Sequence, residues 1–377
     1  MSKKLMLLVN RDWAFLSHRL AIALEAKAQG YEVHLAVGIT DKLDELLSYG
    51  FIVHPLTIER DDVGLFKELK TFLQILAVFK KVRPDLVHLV TIKPVLYGGI
   101  AARMAGLPAV VAAVPGLGIS FISSGLRAYL RYQAIANLYR IAFNKKNMKV
   151  IFQNPDDAEC LKTMTRLEPN KIALIRGSGV NLEHYIHTPL PEGIPVVVMA
   201  ARLLANKGVR EFVEAARLLK QRGVVARFCL VGAPDAAVST SILDSELEAW
   251  EKEKVVEVIG YRSDIASVFS EAHSVVLPSY REGLPKVLIE AAACGRAVIT
   301  TDVPGCRDAI EPGVSGLLVP PREVEALADA MRLLIEDRSK CEAMGAAGRL
   351  LAEREFDIKR VVASHLDIYK ELLARLE

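Results

Sequence analysis

The chain has 377 residues, of which 51% are hydrophobic, and a formal net charge of +3, enough for two globular domains of about 150 residues each with sizeable cores. Its five cysteines are odd in number and lack a C-x-x-C, and its eight histidines lack ligand spacing, so neither a disulfide frame nor a metal site is expected. No run approaches the roughly 18 apolar residues of a spanning helix, and residues 1–9 are too short for a secretory leader, so the expected location is cytoplasmic.

KLMLLV at 4–9 is a continuous apolar run, the mark of a central parallel strand. A loop at 10–15 and a helix over about 17–29, closed by Gly30, follow it. Strands at 31–37, 51–56, 85–90 and 109–114 alternate with helices at 41–49, 65–82 and 97–105. Repeated β-α-β units of this kind predict a doubly wound parallel sheet. Its first β-α turn reads NRDWAF rather than G-x-G-x-x-G. The later Gly116 and Gly118 lack a third glycine and a downstream ribose acid, which argues against a hydride-transfer dinucleotide site and leaves a close-approach loop. Asn10, Arg11 and His18 fall at the ligand-facing edge of such a sheet, and Lys93 follows a strand end where it could meet a ligand's diphosphate; each has a plain surface role as the alternative.

Charge is unevenly placed. Residues 1–190 carry 24 Lys and Arg against 16 Asp and Glu, and no acid stands between Asp85 and Asp156. Within that gap, residues 124–144 put Leu126, Leu130, Ala134 and Leu138 at steps of four, with Arg127 and Arg131 on the neighbouring face and Lys145 and Lys146 beyond. A solvated domain helix is one reading. The other, favoured by the missing acids, is a basic, aromatic surface for an anionic bilayer or a lipid diphosphate.

A strand at 149–154, a helix from Pro155 and the run KIALIRGSGVNLEHY end the first half, and residues 186–195, rich in proline, read as a linker. The second half repeats the pattern, with strands at 196–203, 226–232, 255–260, 274–278, 297–300 and 316–320. Helices are expected at 209–222, 241–254, 265–271, 285–294 and 323–336, with a last one at 358–376.

The most informative stretch is LPSYREGLPKVLIEAAACGRAVIT, a strand, a tight turn and a helix N-terminus carrying Glu282 and Glu290. Such a junction offers backbone N–H groups and a helix dipole to a diphosphate. Gly283 lets the backbone approach, Pro285 suits the first turn, Glu290 can accept from a vicinal diol, and Glu282 faces what the phosphate carries. The competing reading is two ordinary surface glutamates.

S-x-x-E-G-x-P, with a second Glu eight residues on and the strand GRAVITTDVPG behind it, resembles the Glu-x7-Glu signature of the family-4 retaining glycosyltransferases. Gly177, Gly179, Val180, Asn181 and Tyr185 also match a segment of that family. The resemblance implies an α/β GT-B fold, two Rossmann-like doubly wound parallel-sheet domains facing a central cleft. An acceptor domain would span 1–188, with 358–377 crossing back to it, and a nucleotide-sugar domain 189–357. Arg202 and Lys207 match the family's R-x4-K pair, which holds the donor's two phosphates in place of a metal. Glu282 would bind a sugar hydroxyl, Glu290 the ribose, Gly283 and Leu284 a phosphate, and Tyr261 and Arg262 the base. No protein base is required. Pro115 and Val90 stand where many members have histidine.

HLVTIKPVLYGG and VPGLGISF are similar to the subgroup that extends undecaprenyl-diphosphate-linked sugars. This implies a UDP-sugar donor, of an N-acetylhexosamine, a lipid-linked saccharide acceptor, contact with the inner face of the cytoplasmic membrane and no nucleic acid. A sugar-nucleotide epimerase and a polyanion-binding protein are the rivals.

Overall fold

The computed structural model describes residues 2–58, 64–117, 126–235 and 238–376, with the side chains of all but 65 and 126–132. Two compact units result, Met1–Ser178 with Lys359–Glu377, and Gly179–Ile358.

The first unit runs β1 (Lys4–Val9), α1 (Asp12–His18), α2 (Leu20–Ala28), β2 (Glu32–Gly38), α3 (Leu43–Ser48), β3 (Ile52–Leu56), α4 (Leu65–Val82) and β4 (Leu86–Val90). A single π turn at Pro94–Gly98 leads to α5 (Gly99–Met104), β5 (Ala109–Val114), α6 (Leu126–Phe143), β6 (Met148–Phe152), α7 (Pro155–Thr165) and β7 (Ile172–Leu174). The seven strands are all parallel, in the order β3-β2-β1-β4-β5-β6-β7. β1, β4 and β5 are buried along nearly their whole length, which is why they read as unbroken apolar runs. Strand order reverses between β1 and β4, so their loops flank the crevice where ligands of such sheets lie.

The helix after β1 starts at Asp12 rather than near 17 and breaks at Arg19. Asp12 is buried, and its carboxylate accepts from Trp13 N at 2.9 Å, Thr40 N at 2.6 Å, Thr40 Oγ1 at 2.7 Å and Lys42 N at 3.2 Å. Burial pushes the carboxyl pKa up, but these bonds outweigh it and hold the group below its usual range. A charged residue in a loop-like stretch thus marks a helix start that also pins the loop after β2.

The second unit contains β8 (Val196–Ala200), α8 (Val209–Gln221), β9 (Arg227–Val231), α9 (Asp244–Lys252), β10 (Glu257–Gly260), α10 (Ile265–Ser270) and β11 (Ser274–Leu277). It continues with α11 (Lys286–Ala293), β12 (Ala297–Thr301), β13 (Gly316–Val319), α12 (Val324–Glu336) and α13 (Arg338–Leu351). Six parallel strands stand in the order β10-β9-β8-β11-β12-β13, with the reversal between β8 and β11. Helix α13 is absent from the sequence reading, although Asp337 caps it by accepting from Lys340 N at 2.9 Å. Residues 186–195, read as a linker, are fastened to this unit. The fully buried Arg296 guanidinium donates to Thr188 O at 2.8 Å and Pro189 O at 3.3 Å, and Arg338 to Pro191 O at 2.8 Å.

The last helix, α14 (Ile358–Ala374), packs on the first unit from Lys359 onward. Tyr369 and His88 Nδ1 share a hydrogen bond of 2.6 Å, Asn147 Nδ2 donates to Leu372 O at 2.9 Å, and Lys149 pairs with Glu371 at 3.1 Å. Arg19, His88, His365 and Tyr369 form a buried polar cluster under this helix. Burial, with Arg19 beside them, lowers both imidazole pKa values, His365 to about 3. Burial also lowers the Arg19 guanidinium, to about 10. Arg19, which directly follows His18, lies inside.

Candidate active site

The loops after β8 and β11 interlock at the reversal point of the second sheet. Asn206 O, in the β8 loop, accepts from Tyr280 N at 3.0 Å and Ser279 Oγ at 3.3 Å. Gly208 has φ +77, and a Cβ there would lie 2.2 Å from Pro278 O, so only glycine lets the two backbones meet. This approach seats Lys207 Nζ on Glu282 Oε1, and Ser279 Oγ reaches the same oxygen at 2.5 Å. Ser279 is itself held through its carbonyl by Thr301 Oγ1. Behind Glu282, its backbone N–H donates to Pro304 O at 3.2 Å, and Gly305, φ +82, leaves no room for a side chain against Glu282 O. Cys306 is buried below, its thiol pushed up to about 12 by burial and then by the Glu282 charge. Two charges of opposite sign are thereby fixed by short, mutually supporting bonds at a sheet edge.

Glu290 sits on α11, 7% exposed, and its Oε1 accepts from Tyr185 OH at 2.6 Å and pairs with Lys286 at 3.0 Å. Burial and then the Glu290 carboxylate push the Tyr185 phenol far above its ordinary value, so it stays a donor. The Tyr185 carbonyl is fixed by Arg349 Nη1 at 2.7 Å, which also holds Ala293 O at 2.7 Å. Helix α11 begins after Pro285 without a side-chain cap, with Leu284 buried just before it. Its first turn therefore presents a dipole end to the same edge as Gly283 and Glu282.

Arg202, two residues after the end of β8, pairs with Asp235 of the β9 loop at 3.2 Å. Tyr261, after β10, is 77% exposed, and its neighbour Arg262 donates to Asp264 at 2.6 Å. All of these residues follow C-terminal strand ends. Lys207 and Glu282 are in direct contact, whereas Arg202 pairs with Asp235, and Glu290 with Tyr185 and Lys286.

The first unit gives a different picture. Asn10 and Arg11 follow β1, and His18 Nδ1 meets Ser178 Oγ at 3.1 Å. Lys93 is paired with Glu68 of α4 at 2.7 Å. Gly116 follows β5, while Gly118 lies outside the described residues. Helix α6 forms as expected, but the side chains of Arg127 and Arg131 are outside the description. Lys145 is half-buried, its pKa lowered by burial, and Lys146 is exposed.

Residues 184–351 match the family model for glycosyl transferases group 1, and residues 4–154 the model for a glycosyl transferase 4-like domain. The N,N'-diacetylbacillosaminyl-diphospho-undecaprenol alpha-1,3-N-acetylgalactosaminyltransferase of Campylobacter jejuni is 30% identical, over 95% of this chain and 98% of its own. The chain belongs to the group 1 glycosyltransferases. A UDP-Gal:alpha-D-GlcNAc-diphosphoundecaprenol alpha-1,3-galactosyltransferase of Escherichia coli is 26% identical, over 80% of this chain and 78% of its own. Two solved structures share the GT-B fold. A sucrose-phosphate synthase from Thermosynechococcus elongatus has a TM-score of 0.83 at 21% identity, over 99% of this chain and 100% of its own. Anabaena HepE with UDP-glucose has a TM-score of 0.76 at 20% identity, over 97% and 99%.

Sequence reasoning passed over several residues that shape this candidate site. Ser279 stands within the quoted S-x-x-E motif, yet its bond to Glu282 depends on the turn between them closing. Tyr185 was visible as a motif position; that its hydroxyl meets a glutamate 105 residues later was not. Asp235 follows a glycine at a strand end, the one local signal that marks it.

Proposed function

We propose that this glycosyltransferase moves an N-acetylhexosamine from a UDP-linked donor to a lipid-diphosphate-linked saccharide, retaining anomeric configuration, at the inner face of the bacterial cytoplasmic membrane, in surface-glycan assembly. The observation that carries the reading is the interlocked pair of loops that sets Lys207 and Ser279 on Glu282 at the second sheet's reversal point. The names of the Campylobacter and Escherichia coli relatives, both acting on diphosphoundecaprenol-linked sugars, support the acceptor class. The UDP-glucose bound to HepE supports the donor class.

As the glycosidic bond breaks, negative charge builds on the leaving diphosphate. Lys207, Arg202 and the start of α11 stabilise that charge more than the ground state. The diphosphate draws Lys207 from Glu282 and leaves the carboxylate to a donor-sugar hydroxyl. Glu290, steadied by Tyr185, accepts from the ribose. The departing phosphate takes the acceptor's proton on the same face, so the residues of the chain orient and neutralise rather than abstract.

The test is transfer by the full chain from a panel of UDP- and GDP-sugars to a diphosphate-lipid saccharide, with the product anomer read by NMR. An α-linked product from a UDP-N-acetylhexosamine is expected. Consumption of donor without acceptor, or an inverted anomer, would replace the reading.

A further inference from the structure

Helix α4 has two faces, and only one is accounted for by the fold. Thr71, Ile75, Leu76, Phe79 and Val82 are buried against the first unit, and Thr71 Oγ1 also bonds Thr57 O at 2.7 Å. The opposite stripe, at helical spacing, exposes Phe66, Leu69, Lys70, Leu73, Ala77, Lys80 and Lys81. Phe66 is 89% exposed, Leu69 51% and Leu73 52%. Among the described residues no other helix turns three large apolar side chains outward at such spacing. Exposed leucines scattered singly need no explanation, but an aligned aromatic and two leucines over about 10 Å do.

Charge narrows the choice of partner. Glu68 is the only acid of α4, and it is turned to Lys93 at 2.7 Å, so the outward stripe is apolar and then basic without a carboxylate. A second copy of the chain is a poor occupant, because a two-fold contact would set Lys70, Lys80 and Lys81 of one copy near those of the other. A surface with anionic headgroups over hydrocarbon suits both halves of the stripe. The Glu68–Lys93 pair also ties the apolar end of α4 to the loop after β4, one of the two loops flanking the first sheet's reversal point. The apolar stripe therefore borders the edge that a lipid-borne substrate would approach.

We infer that the outer face of α4 is a bilayer-docking surface, with Phe66, Leu69 and Leu73 entering the headgroup boundary and Lys70, Lys80 and Lys81 resting on anionic lipid. This deepens the proposed function, since it rests on the acceptor being held in a membrane. No helix among the described residues is long and apolar enough to cross one, so attachment through this face would be peripheral.

The experiment is co-sedimentation of the full chain with vesicles of phosphatidylcholine alone or mixed with phosphatidylglycerol, using wild type, the triple variant Phe66→Ser, Leu69→Ser, Leu73→Ser, and the triple variant Lys70→Gln, Lys80→Gln, Lys81→Gln. Wild type pelleting with the anionic vesicles is expected, with partition about tenfold or more weaker in the serine variant and weakened to a salt-insensitive residue in the glutamine variant. Melting temperature monitors folding, and exposed-face substitutions of this kind leave it nearly unchanged. Equal pelleting of wild type and both variants overturns the inference, as does wild type that ignores anionic vesicles. Self-association lost in the serine variant without vesicle binding overturns it in favour of a second copy. Transfer to a short-chain, water-soluble acceptor separates this inference from the functional reading. Both variants should retain that transfer, and a wild type that lacks it while binding vesicles would fail the function and leave the surface standing.

Discussion

Each unit opens a crevice where its strand order reverses, between β1 and β4 in the first and between β8 and β11 in the second, but the polar groups beside the two have different partners. Around the first, Asp12 is bonded to Thr40 and Lys42, Lys93 to Glu68, and His88 to Tyr369 of α14. Around the second, Lys207 and Ser279 both bond Glu282 at the edge itself. One architecture thus uses its edge charges to hold its own loops and the returning helix, while the other pairs them at the edge where a charged guest is proposed to sit. The difference follows from a few loop residues, since both sheets are made of the same apolar strands.

The contrast can be broken experimentally. The largest effect is expected at the second edge: Glu282→Ala or Lys207→Ala should lower kcat/KM for transfer by about 10²–10³-fold with the fold intact. Because the two side chains touch, the double variant should lose far less than the product of the single losses. Multiplicative losses in a steady-state assay would show two independent roles.

The first edge should answer to acid rather than to donor. His88 and His365 have folded-state pKa values below the ordinary 6.5, so the unfolded chain takes up protons first as pH falls. Their contribution is full above pH 6.5 and declines below it toward the His365 value of about 3, by up to about 1.4 kcal/mol per pH unit for each proton. Thermal melts should show that decline, and His365→Gln should flatten it. Unchanged slopes would remove the cluster from the account.

Tyr185→Phe should raise the donor KM about five- to tenfold and leave kcat nearly unaltered, since it frees Glu290, the proposed partner of the ribose, without touching the reacting atoms. The penalty for a donor with a deoxyribose should shrink in the same variant, and a constant penalty would make Tyr185 a packing residue only. The smallest effect is expected from Arg262→Ala. Its exposed pair with Asp264 should leave transfer within about twofold by the same assay.

Much of this was legible in the residues. Unbroken apolar runs such as KLMLLV and AVVAAV announced buried parallel strands, and Glu282, Gly283, Pro285 and Glu290 announced a turn feeding a helix. What stayed hidden depends on chain segments far apart in sequence. His88 sits in an apolar strand and gives no local sign of Tyr369, 281 residues on. Arg296 follows a small-residue helix, and nothing beside it foretells a buried guanidinium gripping the backbone at Thr188 and Pro189. Asp12 looked like loop because its capping partners come after the next strand. Periodicity reports which way a side chain faces; it is silent on which distant loop arrives there.

The return of α14 to the first unit has a consequence for biosynthesis. When the ribosome has delivered residues through Ser178, the first sheet has every strand yet lacks the helix that covers His88 and Arg19. The intervening unit is free to fold as a continuous insert, while the earlier one waits with polar groups uncovered until α14 emerges. Maturation of the first unit is therefore timed by the arrival of α14, and a nascent chain stalled before Tyr369 should be the form most exposed to chaperones and proteases.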